Sequence, residues 1–62
     1  MDLKEFRKEK NLEQKQMAKE IGVSASYYCK VEQRIQNPSY MFLSKLKKRF
    51  PDVSIDALFF GK

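Results

Sequence analysis

Apolar residues in this chain recur at spacings of three and four, the signature of helices that bury one face. Leu3 and Phe6 open the pattern and predict a first helix over Asp2 to Lys10, with Lys10 joining the inner stripe only through its aliphatic stem. Met17, Ala18 and Ile21 form a second stripe, and Tyr28 and Val31 form a third within a helix over Ala25 to Arg34. Tyr40, Leu43, Leu46 and Phe50 predict the inner face of a fourth helix over Ser39 to Phe50. Lys47 lies alongside that face by its stem, and Met41 and Phe42 are left partly exposed. A last helix over Ile55 to Phe60 carries Ile55, Leu58, Phe59 and Phe60, too many apolar residues for one stripe. Some of them seal the core, and at least one ring stays exposed.

Turn-forming residues separate these stretches. Asn11 tolerates the left-handed conformation that a helix end often needs. Gly22 takes it without a Cβ penalty, and Ser24 follows as an N-cap whose hydroxyl accepts from the next turn's amides. Pro38 disfavours helix at Asn37 and opens the next one. Pro51 and Asp52 stop that helix, and Ser54 caps the last. The centre of this layout is Gln14 to Arg34, two short helices around a glycine turn, with Ala18 small where the second must cross the first. Such a pair is a helix-turn-helix unit, whose second helix can enter the DNA major groove.

Two charged residues fall on inner faces. Arg7 lies four after Leu3, and Glu32 lies four after Tyr28. An unpaired buried charge is very costly, so the two are expected to pair with each other through a two-pronged contact.

The chain resembles the lambda-repressor-like and Cro-like (Xre-type) helix-turn-helix domains. The residues that carry the resemblance are Leu3, Arg7, Leu12, Gln14, Met17-Ala18, Ile21-Gly22-Val23-Ser24, Tyr28, Val31-Glu32, Asn37-Pro38-Ser39, Leu43, Leu46, Phe50, Val53-Ser54 and Leu58. They cover nearly the whole sequence, in order and at family spacing. The resemblance implies an all-α, compact five-helix bundle of the lambda-repressor-like DNA-binding type, a single domain over 1–62 with its helix-turn-helix at residues 14–34. It also supports the Arg7–Glu32 pair as a structural ion pair.

By the same resemblance, Ala25, Ser26, Cys29 and Lys30 occupy the positions that meet base edges. Ser26 can donate or accept, Lys30 can donate to guanine O6 and N7, and Ala25 can touch a thymine methyl. Cys29 is a weak donor, or simply a small residue that allows close approach. No Gln, Asn or Arg stands among the four, so specificity rests partly on DNA shape. The candidate phosphate contacts are Gln14, Lys15, Ser24, Tyr27, Gln33, Arg34, Asn37, Ser39 and Tyr40, aided by amides at a helix start. Tyr27 is expected to point toward solvent or a phosphate. Gln14 can also steady the recognition helix, or be an ordinary first-turn residue. The chain departs from the family in having Glu13 where Thr is usual, which places a negative charge near the expected DNA backbone. It has Arg34 where Gly is frequent, either one more phosphate contact or a solvated arginine.

Charge adds direction to this picture. The formal net charge is +5, and it is unevenly spread. Residues 1–34 hold eight basic and six acidic residues, whereas Ile35 to Phe50 holds four basic residues and no acidic one. Around Lys45, Lys48 and Arg49 this reads either as a solvated helix face or as long-range attraction to phosphate. With no histidine, one cysteine (Cys29) and scattered carboxylates, the sequence offers no nucleophile-base pair or metal-ligand cluster. Gly occurs only at 22 and 61, so there is no phosphate-cradling loop either. An enzyme, a cofactor and a small-molecule ligand are therefore not expected. No apolar run approaches the roughly 20 residues of a membrane helix, and the lone cysteine fits a reducing cytoplasm.

The function expected is a sequence-specific double-stranded DNA-binding transcriptional regulator, a small repressor of the kind found in phages and mobile elements, acting by operator occupancy. An exposed apolar cluster at Leu58, Phe59 and Phe60 suggests a homodimer on a two-fold operator, with recognition helices ~34 Å apart. The alternative is a protein-interaction module, antitoxin-like or anti-repressor, that keeps the fold without reading DNA.

Overall fold

The computed structural model describes residues 2–60; the ends of the expected 1–62 domain, at Met1, Gly61 and Lys62, lie outside the described residues. Five helices follow one another: α1 (Leu3–Glu9), α2 (Gln14–Ile21), α3 (Ala25–Glu32), α4 (Tyr40–Arg49) and α5 (Ile55–Phe59). The all-α architecture expected from the sequence is the one found.

Polar side chains set where each helix begins. Asp2 Oδ1 accepts from the Glu5 amide at 2.9 Å and Glu5 Oε1 accepts from the Asp2 amide at 3.0 Å, a closed capping box. Ser24, Ser39 and Ser54 each accept an amide three residues on, from Tyr27, Phe42 and Ala57. At the head of α2, Gln16 Oε1 accepts from the Glu13 amide at 2.8 Å.

Three helices end on residues in the left-handed region: Asn11 (φ 59°) after α1, Gly22 (φ 94°) after α2 and Arg34 (φ 64°) after α3. At the third, Ile35 N–H donates to Lys30 O at 2.9 Å and Arg34 N–H to Val31 O at 3.1 Å, the paired bonds of a Schellman stop. This closes α3 at Glu32, two residues before the end its sequence suggests. Phe50 is driven extended (φ −125°, ψ 80°) by the proline that follows it, and α4 ends there.

α2 packs against α3 and α4, and α1 packs against α5. The core at their centre holds Tyr28, Phe42, Met17 and Leu46 almost fully enclosed. Phe42 is the hub: its ring meets Tyr27 at 5.7 Å, Tyr28 at 6.3 Å and Phe59 at 6.2 Å between centroids. At the far side Phe6 and Phe50 meet edge-to-face at 5.5 Å, with Lys10 over both rings.

This arrangement corrects the expected inner face of α4. Phe42, expected partly exposed, is buried, and Tyr40, expected to face inward, is 85% exposed. The physical reason is packing: the Phe42 ring fills the space between Tyr27, Tyr28 and Phe59, and with that face inward Tyr27 Oη also accepts from the Ser39 amide at 3.0 Å. Lys47 is exposed rather than lying along the inner face, and its Nζ donates to Val53 O at 2.9 Å. In α5, Leu58 is buried in the core and offers no surface to a partner; Phe59 is half-buried against Phe42, and of the three candidate interface residues only Phe60 is exposed.

Candidate nucleic-acid interface

The recognition element is built from its buried side outward. Glu32, on the inner face of α3, collects every strong donor near it. Arg7 Nε reaches Oε2 at 2.8 Å and Arg7 Nη2 reaches Oε1 at 3.2 Å. Gln14 Nε2 donates to Oε1 at 2.9 Å, and Tyr28 Oη donates to Oε2 at 2.7 Å. The third arm of Arg7, Nη1, donates to Leu12 O at 2.9 Å. One carboxylate thus ties together α1, the link after it, the first residue of α2 and the middle of α3. The ion pair is nearly shut off from water, at 11% and 4% side-chain exposure, where charge-assisted hydrogen bonds are strong.

The titration of these groups follows from their contacts. Burial pushes the Glu32 carboxyl up, but the hydrogen bonds from Arg7, Tyr28 and Gln14 outweigh it and hold it below the usual carboxylate range. The Arg7 guanidinium is raised by its hydrogen bond to Glu32 against the opposing effect of burial. The Tyr28 hydroxyl is raised far above an ordinary phenol, by burial first and by the Glu32 carboxylate second.

From this anchored base α3 shows its other side to solvent. Ser26, Lys30 and Gln33 are exposed at spacings of four and three, with half-exposed Cys29 beside them. Between α2 and α3 the chain turns through Gly22, whose carbonyl accepts from Lys45 Nζ at 3.1 Å. A helix-turn-helix model matches residues 3–58, nearly the whole chain and all five helices but the last residue of α5.

The chain belongs to the lambda-repressor-like helix-turn-helix family. It is 39% identical over 57 residues to the HTH-type transcriptional regulator SinR of Bacillus subtilis (strain 168), and equally to the regulator of that name from Bacillus licheniformis. The match covers 90% of this chain and 50% of each relative, so the chain spans about half the length of these curated relatives. No solved structure matches at a significant level.

Within this helix-turn-helix unit the candidate base-facing residues divide. Ser26 and Lys30 are exposed, and Cys29 is half-exposed. Ala25 is partly buried against the core, so it presents only part of its methyl outward. Of the candidate phosphate contacts, Lys15, Ser24, Gln33, Arg34, Asn37, Ser39 and Tyr40 are exposed. Gln14 is half-buried with its amide turned to Glu32, so it steadies the recognition helix. Tyr27 does not simply point to solvent. Its ring packs on Phe42 and its hydroxyl oxygen accepts from Ser39, leaving the hydroxyl proton available to an acceptor outside.

The basic residues divide too. Arg49 pairs with Glu20 and stacks over Phe50, Lys45 holds the Gly22 carbonyl, Lys47 holds Val53 O and Lys10 pairs with Asp52. Lys45 and Arg49, grouped by sequence into a basic cluster with Lys48, therefore fasten α4 to the fold. Among the described residues, the cations of the helix-turn-helix and its following loop with no such partner are Lys15, Lys19, Lys30 and Arg34. Two signals for this division were out of reach of the sequence: backbone carbonyls as lysine acceptors, and the Tyr27–Ser39 bond. The exposed stripe itself was legible, since Gln33 lies three after Lys30 and seven after Ser26.

Proposed function

We propose that the chain is a sequence-reading, double-stranded DNA-binding transcriptional regulator, a small repressor that acts by occupying its operator in the cytoplasm. The observation that carries this reading is the contrast built into α3: four hydrogen bonds lock its inner Glu32, while its outer stripe presents Ser26 and Lys30 without partners among the described residues. A rigid helix with unengaged polar groups is what groove reading requires. Lys30 donates to guanine O6 and N7, Ser26 to either strand's base edges, and Cys29 and Ala25 keep the approach close. Lys15, Ser24, the Tyr27 hydroxyl, Gln33, Asn37, Ser39 and Tyr40 set register against phosphates, which position without specifying. The names of the Bacillus relatives support transcriptional regulation as the setting.

The protein works as a homodimer on a two-fold site. Phe60, 62% exposed beside half-buried Phe59, supports an apolar contact between copies. The test is selection of binding sites from a random duplex library at near-physiological salt, where non-specific phosphate attraction is weak. The expected outcome is an enriched motif of two half-sites one helical turn, ~34 Å, apart. A single half-site retains the reader and removes the dimer. Failure of any sequence to enrich overturns the reading in favour of an interaction module.

A further inference from the structure

We propose that the cavity between α1, α5 and the loop joining α3 to α4 is a binding site for a single-chain monocarboxylic acid, an apolar body ending in one carboxylate. The cavity measures about 410 Å³ and opens to solvent. That volume lies at the small end of the range that small-molecule sites span. Its apolar lining comes from four helices: Leu3 of α1, Val31 of α3, Leu43 of α4, and Leu58 and Phe59 of α5. Leu3, Val31 and Leu58 are buried core residues, so the floor is fixed by the packing of the fold before any ligand arrives.

The charges at the cavity select the ligand. Glu32 and Arg34 are the two charged residues that border it. Glu32 is already satisfied: its carboxylate accepts from Arg7, Gln14 and Tyr28, and its side chain is 4% exposed. Arg34 is exposed, and among the described residues its guanidinium has no hydrogen bond, ion pair or aromatic stack. The lining therefore offers an apolar chamber with one unpaired cation at its mouth.

That combination is complementary to one anionic head on an apolar body. A carboxylate meets a guanidinium through two parallel hydrogen bonds, which fixes the head at the mouth and directs the chain onto the leucines. A dianionic head would bring a second charge that no other cation of the lining meets. A neutral chain would leave the guanidinium unpaired, and a two-chain lipid is too large for the space. The site goes beyond the DNA-binding reading and does not depend on it.

The experiment titrates the 62-residue chain with decanoate, kept below the concentration at which it forms micelles, and follows the protein by NMR. Saturable shifts are expected at Leu3, Val31, Leu43 and Leu58, with a dissociation constant on the order of 0.1 mM. Two comparisons isolate the charge: decanol on wild type, and decanoate on Arg34→Gln. Each should bind about tenfold more weakly, the share of a charge-assisted hydrogen bond. Thermal midpoints taken in parallel separate lost binding from lost fold, and the decanol comparison needs no variant at all. No shift at these residues, equal binding of decanol, or unchanged affinity in a folded Arg34→Gln each overturns the proposal. Shifts at the same residues on raising the protein concentration without ligand put a second copy in the cavity and overturn it as well. All of these outcomes leave the DNA reading standing, since site selection tests that separately.

Discussion

On its inner side α3 presents Tyr28, Val31 and Glu32, and each meets its complement inside the fold; on its outer side it presents Ser26 and Lys30, and among the described residues neither does. The two sides are turns of the same eight-residue helix, less than 12 Å apart at its usual diameter. Their difference teaches where each group's energy lies. The inner groups determine how the helix sits, because an unmet buried charge is heavily penalised. The outer groups add little to folding, because water serves them as well as a partner would. Their chemistry is available to a molecule outside.

Removing Arg7 should break the comparison most forcefully. Arg7→Ala leaves the Glu32 carboxylate buried without its cation and is expected to destabilise the fold by about 3–5 kcal/mol, a large part of a small domain's stability. A melt of the variant reads this directly, and an unchanged midpoint would refute the inner side's role. Lys30→Ala should do the reverse. Its stability stays within about 0.5 kcal/mol of wild type, while affinity for the selected operator falls by about 1–3 kcal/mol and discrimination at one base pair relaxes. Equal loss on every sequence would make Lys30 a phosphate contact.

Gly22→Ala sharpens the role of the turn between these helices. An added Cβ there meets no atom within 4 Å, so any penalty comes from φ 94° alone. The expected loss is about 1–2 kcal/mol, and a denaturant melt with no shift would remove the conformational explanation.

The smallest effect is in pH. Glu32 is held below its ordinary value in the folded state, so its contribution is fully present above about pH 4.3 and is lost as pH falls through its folded value. Tyr28 is held above its ordinary value, so its contribution is present below about pH 10 and is lost at higher pH. Stability against urea should be level between these limits and fall outside them. Glu32→Gln should flatten part of the acid limb, leaving the share of Asp52, whose carboxylate is also lowered, first by its hydrogen bond from Lys10.

Much of this was legible in the sequence. The Arg7–Glu32 contact followed from two charged residues at the wrong periodicity for the surface, because a helix of 3.6 residues per turn leaves them nowhere else to point. The starts of α3 and α5 followed from Ser24 and Ser54, since capping is a local interaction, whereas Asp2 and Ser39, read as the first residues of their helices, are caps that the structure revealed. The face of α4 was not legible. Tyr40, Met41, Phe42 and Leu43 are consecutive apolar residues, and two helical stripes fit them equally well. Which candidate contacts remain open to an outside partner was equally hidden, since a lysine that will hold a distant carbonyl looks like any other.

The sequence by itself determined five helices, the turn at Gly22, the buried ion pair and the family, because each rests on spacing or on residue chemistry acting over one or two turns. Only the tertiary structure decided that Phe42 rather than Tyr40 fills the core, that Leu58 is interior, and that Lys45 and Arg49 bond to groups outside α4 while Lys30 and Arg34 have no partner among the described residues. Those outcomes depend on groups far apart in the chain, such as Tyr27 with Ser39 and Lys45 with Gly22, and their meeting is set by how whole helices pack.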